Sequence, residues 1–417
     1  MNLENIIENA AERCDLTSVR DQQRLYALAQ TLLDAPGWDI EQVREASLRD
    51  DCPLEFRLAA KLYESRRFMQ RNDKPCAVGV VLAMWGEQNR LRPRSDSNPN
   101  GEDSLRRKIE QLSWITKDTP VTWTLYAVDD GCPNGSGSIA QGIAGDAGEH
   151  AHKIKVLFLE QAVGKGSSIL STIHSANESR KGGSVILGCR QAIDDGMDAV
   201  IYTDADCSVH LGQIGLLLQK HLEQGVPIVL GNRKAKGAVL VKQEDRWGVG
   251  IKVLRHMQRM IGEAIFSRGI LDTQAAFKLY ERDTLKRILD AACVVDFSFD
   301  TDWILAAIAQ GERIETVPFA FIDSFAESAS ITQGPMSTWE ILLKGLVKAV
   351  RVHGLAHNQE MARLIDEEIQ SAADLDSLIN DLPEELVHAR ADQLGDPAIM
   401  SPESLRHWIR QCKENAL

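Results

Sequence analysis

Two aspartates separated by one small residue, Asp204-Ala205-Asp206, directly follow the apolar run Ala199-Val200-Ile201-Tyr202-Thr203. A buried strand ending in such a pair presents two carboxylates at one point. Together they can hold a hard divalent cation, Mg²⁺ or Mn²⁺, and leave positions open for diphosphate oxygens and water. A cation so placed neutralises charge building on a departing nucleoside diphosphate. Two other apolar runs end in acidic tips: residues 122–128 lead into Asp129-Asp130-Gly131, and residues 77–83 lead into Met84-Trp85-Gly86-Glu87. Carboxylates there can accept hydrogen bonds from a base or ribose. Arg233, after the run 227–231, has a guanidinium suited to two-point contact with phosphate.

These groups need a scaffold that brings strand ends together. Five runs, at 77–83, 122–128, 155–159, 199–203 and 227–231, are apolar on both faces and separated by helical patterns. That predicts an α/β fold with a mainly parallel sheet covered on both sides, and ligands in such sheets bind beyond the C-terminal strand ends. The sheet domain is expected over residues 74–335. Residues 1–73 read as a helical extension, with Leu25, Leu28 and Leu32 and then Leu54, Leu58 and Leu62 at helical spacing. The basic stretch Arg66-Arg67-Phe68-Met69-Gln70-Arg71 is expected at a helix end or in a linker. Residues 336–417 are again helical. There Trp339, Leu342, Leu343, Leu346, Val347 and Val350 form one stripe, packing either on the chain's own core or against a second copy.

The net charge of −13 over 417 residues argues against general nucleic-acid binding, although Arg233-Lys234-Ala235-Lys236 is locally basic. None of the eight cysteines forms a C-x-x-C pair, which removes support for a zinc site or redox motif and predicts reduced thiols in a cytoplasmic protein. The acidic start, Met1-Asn2-Leu3-Glu4-Asn5, lacks a secretion-signal pattern, and no apolar run is long enough to span a bilayer.

The order of these segments resembles the family-2 glycosyltransferases with the GT-A fold, on the branch containing dolichyl-phosphate glucosyl- and mannosyltransferases. Val80-Val81-Leu82-Ala83-Met84-Trp85-Gly86-Glu87 is similar to their first-strand motif, Val128-Asp129-Asp130-Gly131-Cys132 to their V-D-D-G-S, and Asp204-Ala205-Asp206 to their D-A-D. Gly231-Asn232-Arg233 stands where they carry G-S-R. Asp272-Thr273-Gln274-Ala275-Ala276-Phe277-Lys278-Leu279-Tyr280, Phe299-Asp300-Thr301-Asp302 and Gly311-Glu312-Arg313-Ile314 follow in the family's order. The resemblance leaves both helical extensions outside.

It implies an inverting, metal-dependent transferase that takes a sugar from a UDP- or GDP-sugar. Trp85, Glu87 and Asp130 would line the nucleoside pocket, with the backbone at Ala83 and with Asp129 nearby. Asp204 and Ala205 would face the ribose or donor sugar, Asp206 together with Asp204 would ligate the metal, and Gln274 would approach the sugar. A glycine-lysine loop is expected near the diphosphate. Lys181-Gly182 is preferred to Gly164-Lys165-Gly166 because one helix and then the D-x-D strand follow it. Asp300 and Asp302 are the candidates for a general base. Trp247 and Trp303 are candidates for stacking on a sugar, and His210 for approaching the metal.

One departure bears on the acceptor. The dolichyl-phosphate enzymes carry G-S-K-L after their last core strand, whereas this chain has Glu327-Ser328-Ala329-Ser330-Ile331. The missing lysine favours a soluble hydroxyl or phosphorylated small molecule over a lipid phosphate. The competing readings are a sugar-phosphate nucleotidyltransferase, for which the glycine- and arginine-rich loop is missing, and a dinucleotide-binding oxidoreductase, for which no G-x-G-x-x-G follows a strand. A third is a non-catalytic scaffold on the same fold.

Overall fold

The structure, a computed structural model, describes residues 2–35, 37–165, 168–242, 249–323 and 335–415. Nine strands occur among them: β1 Cys76–Met84, β2 Val121–Asp129, β3 Ile154–Phe158, β4 Ala199–Thr203, β5 Ile228–Asn232, β6 Val239–Val241, β7 Phe277–Glu281, β8 Ile314–Pro318 and β9 Ala320–Ile322. Seven form one sheet in the order β3-β2-β1-β4-β7-β5-β8, and β6 pairs with β9 in a small second sheet. Only β7 runs antiparallel to its neighbours in the large sheet. The mixed, mainly parallel sheet flanked by helices is the architecture expected from the apolar runs.

Alternation along β1 explains its central place. Val78, Val80, Leu82 and Met84 enter the core on one face, while Val81 enters the core on the other. The helix Gly182–Asp194 lies close against the second face. A Cβ on Gly79 would come within 2.8 Å of Ala192 Cβ, and one on Gly188 within 2.5 Å of Val81 Cγ1. Glycine at both places is what permits this approach. The chain moves outward from β1 through β2 to β3, then returns to pair β4 on the other side of β1. This reversal opens a crevice at the C-terminal ends of β1 and β4, the switch point at which open α/β sheets bind ligands.

The extensions are built into the sheet domain. In the N-terminal helix Leu54–Arg71, Ser65 Oγ donates to the Gly212 carbonyl at 2.6 Å, and Arg66 donates to the carbonyls of Ile115 and Lys117, both at 2.7 Å. The basic stretch 66–71 is therefore the end of a helix and not a linker. At the other end, the helix Pro335–Val352 buries Trp339, Leu342, Leu343, Leu346, Val347 and Val350 within the same chain. The stripe thus packs on its own core and gives no support to assembly through that face. Gly345 sits so near Ser298 that a Cβ there would lie 1.8 Å from its Oγ. Among the described residues, no helix is long and apolar enough to cross a membrane.

Candidate active site

A cavity of about 480 Å³ opens at the switch point. The tip of β1 contributes Ala83, Trp85 and Glu87, the tip of β2 contributes Asp130, and the tip of β4 contributes Asp204, Ala205 and Asp206. Arg90, Ala176, Asn177, Arg180 and Lys181 form part of the wall, and Phe297, Thr338 and Ile341 line it as well.

The loop carrying Lys181 is held in a costly conformation. Arg180 and Lys181 both have positive φ, 42° and 90°, which costs a residue with a Cβ about 1–3 kcal/mol. Asp130 supplies the restraint: Oδ1 accepts from Ser179 Oγ and Ser184 Oγ, each at 2.6 Å, and Oδ2 accepts from the Lys181 amide at 2.8 Å. Burial outweighs these donors and pushes the Asp130 carboxyl above the usual carboxylate range. Gly182 follows because a Cβ there would lie 2.4 Å from the Asp296 carbonyl oxygen. Gly182 therefore shapes the loop without lining the cavity. The competing loop at Gly164-Lys165 does not reach the cavity, and its Gly166 and Ser167 lie outside the described residues.

The Lys181 ammonium pairs with Asp204. Burial opposes charge on both, but their attraction prevails, raising the lysine and lowering the aspartate from their ordinary values. Asp206 accepts from the Ser208 amide at 3.0 Å. Asp204 and Asp206 thus bring two carboxylates to one strand tip, the ligand type that a hard divalent cation takes.

Behind Glu87 lies a cation shared among carboxylates. Arg90 Nη1 is 3.2 Å from Glu87 Oε2, and its Nε is 3.3 Å from Glu102 Oε1. One guanidinium cannot offset Glu87, Glu102 and nearby Asp206 together. Burial, ahead of the opposing pull of Arg90, pushes Glu87 up to about 7.

A second cavity, of about 420 Å³, shares Phe297 and Thr338 with the first. Its wall carries five cations, Arg233, Lys234, Lys242, Arg255 and Arg259, against the carboxylate of Asp272. Asp272 accepts from Arg233 Nε at 2.9 Å and Nη2 at 2.7 Å, so among the described lining residues one carboxylate faces five cations. Burial, which outweighs Asp272, lowers Lys234 to about 8. Gln274 and Trp339 also face this cavity.

Several sequence expectations fall elsewhere. Asp129 is buried, its two oxygens accepting from the amides of Cys132 at 3.0 Å and Gly137 at 2.6 Å, so it folds its own loop. Arg233 and Gln274 line the second cavity and not the first. Asp300 and Asp302 line neither. Asp300 is paired with buried Lys278, which also donates to Tyr202 Oη at 2.7 Å and the Thr273 carbonyl at 2.8 Å. Asp302 accepts from the amides of Cys293 at 2.9 Å and Val294 at 3.1 Å. His210 and Trp303 are fully buried core residues, and Trp247 lies outside the described residues. Arg90, Asn177, Arg180, Phe297, Thr338 and Ile341 were not singled out from the sequence. The dense acid-base spacing around Arg90 was the one available signal.

No family model matches the chain. Among curated proteins, an undecaprenyl-phosphate mannosyltransferase of Micrococcus luteus is 26% identical over 152 residues, covering 36% of this chain and 60% of that protein. A polyprenol monophosphomannose synthase of Mycolicibacterium smegmatis is 22% identical over 200 residues, covering 48% and 66%. The chain thus spans less than two thirds of the length of either relative. Among solved structures, glucosyl-3-phosphoglycerate synthase from Mycobacterium tuberculosis, in complex with Mn²⁺, UDP and glucosyl-3-phosphoglycerate, aligns over 78% of this chain and 87% of its own at 13% identity, with a TM-score of 0.45. Over a third to a half of its length the chain is thus similar in sequence to these two polyprenyl-phosphate mannosyltransferases.

Proposed function

We propose that the chain transfers a hexosyl group from a nucleoside diphosphate sugar to a phosphate-bearing acceptor. The observation that carries this reading is the pairing of an acidic, strand-tip cavity with a strongly cationic one across Phe297 and Thr338. The first suits a nucleotide whose diphosphate arrives with a divalent cation. The second suits an anion.

In this reading Asp204 and Asp206 hold Mg²⁺ or Mn²⁺, which when bound supplies charge neutralisation at the diphosphate. Asp130 holds the loop that carries Lys181; when the cation takes Asp204, the ammonium now paired with that carboxylate is freed toward the leaving group. Glu87 and Trp85 line the nucleoside end. The acceptor oxygen forms a bond to the anomeric carbon, the bond from that carbon to the diphosphate oxygen breaks, and the electron pair leaves with the nucleoside diphosphate. One such displacement inverts the anomeric centre.

A phosphate oxygen is already ionised at neutral pH and requires no general base. This agrees with a second cavity in which Asp272, the one lining carboxylate among the described residues, is held by Arg233. We therefore assign Asp300 and Asp302 to the scaffold. The sequence favoured a soluble acceptor on the strength of Glu327–Ile331, residues outside those described. The cationic wall comes instead from the segments around Arg233, Lys242 and Arg255, and the relatives' names specify polyprenyl phosphates. Phosphate is the chemistry common to a prenyl phosphate and a soluble phosphorylated acceptor.

The test is to incubate the protein with Mn²⁺ and either GDP-mannose or UDP-glucose, in separate reactions containing undecaprenyl phosphate in detergent or a soluble sugar phosphate. Products are read by mass spectrometry. A hexosylated phosphate in one arm identifies the acceptor source. Transfer to hydroxyl acceptors lacking phosphate, at equal efficiency, would contradict the reading.

A further inference from the structure

Away from both cavities, three side chains with metal-ligating atoms meet. Cys293 lies just beyond the helix Arg282–Ala291, Asp302 lies in the first turn of the helix Phe299–Ala309, and His353 follows the helix Pro335–Val352. Cys293 Sγ is 3.2 Å from Asp302 Oδ1, His353 Nε2 is 2.7 Å from the same oxygen, and all three ligand atoms lie within 4.8 Å of one another. Asp302 is fully buried, and its Oδ2 is occupied by the amides of Cys293 and Val294. Those amides fix the carboxylate so that Oδ1 faces the sulfur and the imidazole.

We propose that Cys293, Asp302 and His353 form a zinc site, separate from the donor-site metal, that ties the C-terminal helical extension to the sheet domain. Thiolate, carboxylate and neutral imidazole carry two negative charges and offset the dication, which suits a buried position. Sulfur and imidazole select Zn²⁺ over Mg²⁺ or Mn²⁺, whereas the two strand-tip aspartates suit the harder ions. Tetrahedral bond lengths around zinc imply sulfur–oxygen and nitrogen–oxygen separations of about 3.6 and 3.4 Å. The site therefore needs an outward movement of only a few tenths of an ångström on each side. On binding, the thiol loses its proton to solvent and the S–Zn bond replaces S–H. Cys293 also lines a cavity of about 580 Å³, from which water supplies the fourth ligand.

The experiment uses the full chain, stripped with EDTA, desalted, and loaded with one equivalent of Zn²⁺ or Co²⁺ in the presence of excess Mn²⁺. We expect one zinc per chain by elemental analysis and a rise in Tm of about 3 °C at saturating zinc. We also expect a sulfur-to-cobalt charge-transfer band in the near ultraviolet. Cys293→Ser and His353→Gln should each abolish the retained zinc, and Asp206→Asn should leave it at one. The cobalt spectrum of the unmodified chain keeps the test decisive if a variant fails to fold. No retained zinc, a cobalt complex without the sulfur band, or zinc that persists in Cys293→Ser would overturn the proposal.

Discussion

Lys234 offers a quantitative test of the cationic cavity. Its ammonium donates to the Leu271 carbonyl at 2.6 Å, and its pKa is lowered from 10.5 to about 8, by burial first and then by the neighbouring arginines Arg255, Arg233 and Arg259. At pH 7 about nine tenths of the free enzyme carries the charge, and at pH 9 about one tenth does. A bound phosphate raises the lysine's pKa by favouring its charged form, so the complex keeps the proton that the free enzyme has lost. The acceptor KM is therefore expected to rise about tenfold between pH 7 and pH 9 while kcat changes little. Lys234→Met removes one charge-assisted contact, worth about 1.5–3 kcal/mol. The variant should show an acceptor KM raised by about tenfold to a hundredfold at pH 7, and flat from pH 7 to 9. The donor KM should be unaffected. Steady-state kinetics at saturating donor across this range decides the matter. A flat profile in the parent, or the same rise in Lys234→Met, would refute placement of the acceptor anion beside this lysine.

Three further outcomes follow from the geometry. Glu87 is raised from its ordinary 4.5 to about 7, so the folded state holds a proton that the unfolded chain releases, and stability falls as pH rises through that window. Glu87→Gln removes that penalty of about 3 kcal/mol, so its Tm should gain on the parent's between pH 5 and pH 8 by differential scanning calorimetry; equal slopes would contradict this. Gly182→Ala forces a Cβ against the Asp296 carbonyl, and should cost about 1–3 kcal/mol in denaturant unfolding and weaken nucleotide binding; neither change would mean that the Lys181 loop is not braced there. Asp300→Asn breaks the buried pair with Lys278. It should lower stability by about 3–5 kcal/mol yet leave kcat within tenfold, whereas a stable variant with kcat down a hundredfold or more would return Asp300 to the role of base.

The strand tips were legible because an apolar run ending in acids carries two signals at once, burial and chemistry. Ala199–Thr203 with Asp204 and Asp206 shows this most plainly. The helix that begins at Gly182 was legible for a related reason, since one helix must connect the lysine loop to β4. Other features depend on where distant segments meet. β7 lies antiparallel between β4 and β5, and nothing in Phe277–Glu281 announces its direction. Arg255 and Arg259 look like the polar face of an ordinary helix until Arg233 and Lys234 are brought against them. Asp302 illustrates the converse. Its position near Asp300 suggested shared work, yet two residues apart on a helix point different ways, one to Lys278 and one to Cys293 and His353. The extensions carry no motif, so the part that Thr338 and Ile341 play in the cavity could be found only from packing.

The central claim is that the acids at the tip of β4 hold a nucleoside diphosphate through a divalent cation. Isothermal titration of UDP and GDP, with and without Mn²⁺, into the protein and into Asp206→Asn addresses it directly. One nucleotide should bind the parent at least tenfold more tightly with Mn²⁺ present, and Asp206→Asn should lose that gain while keeping the parent's metal-free affinity. Equal metal enhancement in the variant, or no binding of either nucleotide by the parent with Mn²⁺, would contradict the account.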